Sequence, residues 1–230
     1  MIKTHKQLAE LVAGKTILHC NSLGKDSVIA LEWLVRYAKP AKIYSLFFEF
    51  LANHPDDHRY LNYLKRRYPE VTFLVEPNSV ELTLCANGIY QTPVEVNRIY
   101  NAFEYDEFER GKQVEEIKRK YGCDYVCNGA SKYESFARRT KFHQKGLEFK
   151  GEIFPLGMMS REQVISLIRD CGIKLHPCYK FTKGTYDHPS YFKMRASLIT
   201  NPEYFKRILA IYPLLVLDKF RYEVLLEKKT

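Results

Sequence analysis

Between Lys15 and Gly172, short apolar runs rich in β-branched and aromatic residues alternate with stretches of helical periodicity, and this alternation restricts the chain to few folds. Lys15–Cys20 (KTILHC), Ala41–Phe50 (AKIYSLFFEF), Val71–Val75 (VTFLV) and Asp124–Cys127 (DYVC) read as strands. The second is apolar or aromatic almost throughout, which is the pattern of a strand covered on both faces. Helical spacing covers Lys6–Ala13, the stretch after the first strand through Tyr37, Pro55 to about Tyr68, Phe108–Tyr121, and Ser160–Cys171. Pro55 opens its helix with Asp56 and Asp57 on the positive dipole end, and Gly172 closes the last one. The predicted class is therefore α/β, a doubly wound, mostly parallel sheet with helices on both faces. Ligands in such sheets bind at the carboxyl ends of the strands. Ser79–Asn101 gives mixed signals and is read as loops. From about His176 the aromatic, lysine-rich run KFTKGTYDHPSYFKM leads into helical segments. Residues 1–178 are thus expected to form the main domain, and 179–230 a helical, aromatic-rich C-terminal extension over the sheet edge.

At 230 residues and 46% hydrophobic, the chain can bury one substantial core with an appendage. Its composition excludes disordered and collagen-like classes. The start, Met1–Gln7, has no apolar signal core, and the apolar run Ala210–Leu217 is interrupted by Pro213, so a cytoplasmic protein without a membrane partner is expected. The six cysteines are scattered, which favours reduced thiols. A formal charge of +9 favours polyanions, whether nucleic acid or small phosphorylated ligands. The clusters Lys65-Arg66-Arg67 and Lys118-Arg119-Lys120 lie on predicted helices and read as solvated faces.

Ser22-Leu23-Gly24-Lys25-Asp26-Ser27 follows the first strand and opens a helix. A phosphate needs converging backbone N–H donors, a positive helix end and room for close approach, and this segment offers small hydroxyls at both ends, a glycine and a lysine. It is not a Walker A loop. Gly14-Lys15-Thr16 is no better a candidate, because Ala9 stands where that motif needs its first glycine and the segment precedes the strand.

The hexapeptide resembles the PP-loop, usually Ser-Gly-Gly-x-Asp-Ser, of ATP pyrophosphatases and phosphoadenosine phosphosulfate (PAPS) reductases. Gly129-Ala130-Ser131-Lys132-Tyr133-Glu134-Ser135-Phe136-Ala137-Arg138 resembles the pattern Gly-x-Arg-x-x-Glu-Ser-x-x-Arg of the PAPS-reductase-like branch. Phe47–Phe50 with His54–Asp57, and Phe154–Gly157 with the segments through Tyr179, are similar to the same family, so the likeness covers about residues 15 to 180. It implies a Rossmann-like sheet of the PP-loop type that binds ATP or another adenine nucleotide together with Mg²⁺. By this resemblance Ser22, Gly24, Lys25, Asp26 and Ser27 cradle phosphate beside Gly129. Lys25, Asp26, Glu134 and Arg138 carry the chemistry, Asp26 and Glu49 hold Mg²⁺, and the adenine lies against the backbone ends of the first two strands, near His19 and Phe48. Two departures stand out. Leu23 occupies a usual glycine position, so a requirement for positive φ there would change the loop's shape; Ser131 replaces an arginine. PAPS reductases also use a cysteine in a C-terminal tail, and no cysteine follows Cys178 in this sequence.

Other candidates have plainer readings. Cys20, Cys123 and Cys127 fit core packing better than a metal site. His54 and His58 are four apart, a spacing that suits a metal pair or, more simply, an exposed helix face. Tyr179, Phe181, Tyr186, Tyr191 and Phe192 interleave with Lys180, Lys183 and Lys193, which suits either base stacking or packing on the sheet. The expected function is cleavage of ATP to AMP and pyrophosphate with adenylylation of an acceptor, either a nucleobase in DNA or RNA or a small molecule; the positive charge tilts the reading to nucleic acid, whose contacts would be Arg138, Arg139 and Lys141. The alternatives are a sulfonucleotide reductase and a non-catalytic nucleotide-binding module. A homo-oligomer is compatible with the sequence.

Overall fold

The computed structural model describes residues 1–49, 53–78, 110–182 and 191–226. Their strands are β1 (Thr16–Asn21), β2 (Lys42–Glu49), β3 (Thr72–Pro77), β4 (Tyr125–Cys127), β5 (Glu148–Phe149) and β6 (Glu152–Ile153), joined in one sheet of order β3-β2-β1-β4-β6-β5. β1 pairs in parallel with both β2 and β4, β4 pairs in parallel with β6, and the β5–β6 hairpin is antiparallel. The alternation read from the sequence is therefore realised as a mostly parallel α/β sheet. The chain leaves β1 towards β2 on one side and returns to β4 on the other. That reversal is a topological switch point, the place where open parallel sheets form a ligand crevice.

Contacts divide the chain into two compact units. The first comprises Met1–Phe48, Tyr60–Glu76 and Glu115–His176, and the second Glu49–Arg59, Pro77–Val114 and Pro177–Thr230. In the first unit, Leu8 and Val12 of α1 (His5–Val12), Val28 to Leu31 of α2 (Lys25–Trp33), and Leu61 and Leu64 of α3 (Pro55–Arg67) pack around Ile17, Ile43 and Phe47 of the strands. Helix α2 is buried on nearly every side and ends in a π-turn, Leu34–Ala38. Its one buried acid, Glu32, accepts from Tyr68 Oη at 2.5 Å, Arg36 Nε at 2.5 Å and Arg67 Nη2 at 3.4 Å. Arg67 also donates to the carbonyl of Cys171 at 2.5 Å, so the basic run at the end of α3 is a tether at this position and not a solvated face. Cys123 and Cys127 are buried, as core packing requires.

Helix α4 (Arg110–Lys120) precedes β4, and α5 (Phe136–Lys145) follows it. Neither α5 nor the β5–β6 hairpin is signalled by the sequence. The helix begins inside the second motif, and the strands are two residues long. Helix α6 (Arg161–Asp170) starts with a capping box between Ser160 and Gln163. Phe50, Phe108 and the predicted loops of Ser79–Asn101 lie outside the described residues, as do Lys183 and Tyr186.

In the second unit, α7 (Tyr191–Thr200), α8 (Pro202–Ile211) and α9 (Leu215–Arg221) form a helical group around Met194, Tyr204, Phe205, Ile208, Tyr212 and Leu215. Cys178 joins that cluster, and Tyr179 and Phe181 pack against it. These two rings are partly buried against this second core. His54 is fully buried, bonded through Nε2 to Ser197 Oγ at 2.7 Å, while Thr200 Oγ1 donates to Asp56 at 2.8 Å. The exposed-face reading fails for His54 because this polar network encloses it. Among the described residues no helix is long and apolar enough to cross a membrane.

Candidate functional site

The PP-loop leaves the carboxyl end of β1 at the centre of the sheet. Asn21, the last strand residue, is 3% exposed and turns the chain by accepting the N–H of Leu23 on its side-chain oxygen at 2.9 Å. Leu23 then adopts φ +57, the left-handed conformation that a glycine would take without strain. Its side chain is 1% exposed and belongs to the main core. The departure from glycine thus leaves the positive φ in place. Burial of the leucine stabilises the loop by about 1.5–3 kcal/mol, which offsets a left-handed cost of about 1–2 kcal/mol.

Gly24 is the N-cap of α2 and offers no side-chain cap, so the helix start lacks the internal acceptor that Ser, Thr, Asn or Asp would supply. Ser27 closes the loop from within. Its hydroxyl contacts Gly24 O at 2.9 Å and receives the N–H of Ser22 at 3.2 Å, with Ser22 Oγ also at 3.2 Å. Lys25 and Asp26 form an ion pair, each side chain about one-third exposed.

His19 lies under this loop and is fully buried. Its Nε2 is 2.8 Å from the carbonyl of Ser27, which can only accept, so Nε2 carries the proton. Nδ1 then accepts from Ser45 Oγ at 3.1 Å, and Ser45 Oγ accepts in turn from Asn21 Nδ2 at 3.1 Å. Burial lowers the His19 pKa to about 4, keeping the ring neutral. The side chains of His19 and Phe48 are 0% and 5% exposed, so near these two residues the ends of β1 and β2 offer backbone. Asn21 and Ser45 are the residues that sequence reasoning missed. The available signal was a polar side chain inside the apolar run of β2 and an Asx residue just before the loop.

The second motif meets the first through Gly129. A methyl group placed there would lie 2.8 Å from Asp26 C and Ser27 N and 2.9 Å from Asp26 O, so only glycine lets the exit of β4 reach the first turn of α2. Beyond it, Glu134 accepts the N–H of Ser131 at 2.7 Å and pairs with Arg138. Ser135 caps α5 by accepting the N–H of Arg138 at 3.2 Å. Both charged side chains are more than two-fifths exposed. Ser131 is buried, while Lys132 leans over the Tyr133 ring at 5.2 Å. Lys141 is directed elsewhere, to Glu152 at 3.6 Å and over the Phe154 ring at 4.4 Å.

In the second unit, Glu49 Oε1 accepts the N–H of Asn53 at 2.8 Å and contacts His58 Nε2 at 2.6 Å. The His54–His58 pair is thereby separated into two different networks. Among the described residues no group of three or more His, Cys, Asp or Glu is arranged to hold a metal.

The family model of the phosphoadenosine phosphosulfate reductase domain matches residues 16–218. The chain belongs to that family. Among solved structures, the U34-tRNA thiolase NcsA from Methanococcus maripaludis is similar at a TM-score of 0.50 and 14% identity, covering 96% of this chain and 78% of that one. The NH3-dependent NAD synthetase from Campylobacter jejuni (TM-score 0.48, 12% identity, 94% of each chain) is similar at a lower level. So is the PAPS reductase from Candida auris (TM-score 0.49, 12% identity, 76% of this chain and 82% of that one). The likeness to the thiolase shows a shared fold. No curated protein matches the sequence.

Proposed function

We propose that this member of the PAPS reductase domain family binds ATP at Ser22–Ser27 and cleaves it between the α and β phosphates, transferring the adenylyl group to a nucleic-acid acceptor. The observation that carries the reading is the loop itself. Leu23 keeps the left-handed turn, Gly24 leaves the start of α2 without a side-chain cap, and Gly129 brings the second motif to the same backbone. An uncapped helix start with a neighbouring lysine is a site for a phosphate group. Lys25 and Arg138, each now paired with a carboxylate, would exchange that partner for phosphate oxygens. An acceptor oxygen attacks the α-phosphorus, the bond to the bridging oxygen breaks, and pyrophosphate leaves with both bonding electrons. Mg²⁺, when bound, neutralises phosphate charge, and Asp26 is the carboxylate assigned to it. Glu49 is already engaged by Asn53 and His58.

The reductase alternative requires an accessible thiolate at sulfur. Cys127 and Cys178 are essentially buried, and burial raises the thiols of Cys123, Cys127 and Cys171, which disfavours the thiolate at those positions. Ion-exchange analysis of products separates the readings. AMP plus pyrophosphate from Mg²⁺-ATP and an oligonucleotide supports adenylylation, and ADP plus phosphate contradicts it. Thioredoxin-dependent sulfite from PAPS would replace it with reduction, and tight ATP binding without turnover with any acceptor would leave a binding module.

A further inference from the structure

Helix α5 holds an aromatic ring in the open at its first residue. Phe136 is 81% exposed, and Tyr133, three residues earlier, is 50% exposed. Arg139 and His143, both exposed, follow Phe136 at i+3 and i+7, so ring, guanidinium and imidazole share one face, while Phe142 is buried on another. The helix, FARRTKFHQK, contains no acidic residue. Arg138 is held by Glu134 and Lys141 by Glu152, but Arg139 has no carboxylate partner among the described residues. Lys132 stands beside Tyr133, with its ammonium 5.2 Å from the ring. All of this follows directly on the segment that Gly129 anchors to the PP-loop.

We propose that Tyr133, Phe136 and Arg139 form a docking surface for single-stranded nucleic acid, with bases stacked on the two rings and phosphates at Arg139 and Lys132. Flat exposed rings set among cations are what unpaired bases and their backbone require, and every base has a π-face to offer. A duplex hides those faces. An apolar protein partner would need a continuous apolar stripe, which Arg139 and His143 interrupt. The proposal rests on the nucleic-acid acceptor reading and gives that acceptor a place.

The test is fluorescence anisotropy of the full chain with fluorescein-labelled mixed-sequence DNA and RNA of about 12 nucleotides, single-stranded and duplex, at ~50 mM salt and above. Single strands should bind more tightly than duplexes, and Phe136→Ala should weaken them about 5- to 100-fold. Phe136→Trp should restore binding, and Arg139→Ala should flatten the log–log salt slope by about 0.7. Because Phe136 lies at the surface, thermal unfolding and ATP affinity should not move in Phe136→Ala. Equal affinity of wild type and Phe136→Ala, a preference for duplex, or no binding at the lowest salt would each overturn the surface. So would displacement by polyaspartate to the same degree in both proteins, which would mark an acidic protein as the partner. ATP cleavage to AMP without single-strand binding would overturn the surface and spare the adenylylation reading. Phe136-dependent binding without AMP would do the reverse.

Discussion

Lys25 and His19 serve the loop by opposite means, one by charge and the other by having none. In the proposed site Lys25 would meet phosphate at the helix start, and Lys25→Ala should weaken ATP binding by about 1–3 kcal/mol, the scale of a charged hydrogen bond, as read by titration calorimetry. His19 supports the loop only while neutral, since Nδ1 must accept from Ser45 as Nε2 donates to Ser27. Its pKa falls to about 4 in the folded chain, so the unfolded chain takes up a proton first, near pH 6.5. The stability from this site is therefore complete above about pH 6.5 and falls as pH drops towards 4, by up to about 1.4 kcal/mol per unit. Urea titrations at about pH 7 and about pH 5 should show the loss, and His19→Gln should reduce its pH dependence. An unchanged slope in that variant would remove His19 as the titrating group.

Between elements, two contacts fix the site. Gly129 sets the distance between the exit of β4 and the first turn of α2, where the neighbouring atoms are backbone and cannot swing aside. Gly129→Ala should destabilise the chain by about 1–3 kcal/mol through overpacking and lower ATP affinity, because the displaced atoms belong to Asp26 and Ser27. Denaturant midpoints and calorimetry on one preparation would check both effects. Glu32 ties α2 to the end of α3 through Tyr68 and Arg67. Burial and the Glu32 carboxylate both push the Tyr68 hydroxyl well above its ordinary pKa, so the phenol stays protonated and donates. Glu32→Ala would leave Arg67 and Tyr68 without their buried acceptor, and a loss of about 3–5 kcal/mol is expected by urea denaturation. A loss below about 1 kcal/mol would show that solvent replaces the carboxylate.

For the whole molecule, the charge of +9 and the site at the switch point belong to one functional picture. Positive charge gathers polyanions non-specifically, whereas the proposed nucleotide site would hold one phosphate chain where the strand order reverses between β1 and β4. Asp26→Asn should keep the fold and lose most turnover, since a neutral amide of the same shape replaces the carboxylate assigned to Mg²⁺. Product chromatography beside a circular dichroism melt would read both. Full AMP formation in Asp26→Asn would remove that residue from the mechanism.

Periodicity and glycine placement in the sequence were enough to establish the α/β class, the principal strands of the sheet and the PP-loop after β1, because these depend on neighbours within a few residues. The bounds of α3 and α6 were legible for the same reason, with Pro55 and Ser160 marking their starts. Tertiary structure alone decided what depends on atoms far apart in sequence. Leu23 could keep a left-handed turn because distant core residues bury its side chain. His19 became a neutral brace because Ser45 and Ser27 face its two nitrogens, and Tyr179 and Phe181 pack against a second core. The two-residue strands β5 and β6 are too short to carry a period, so their pairing beside β4 was set by packing.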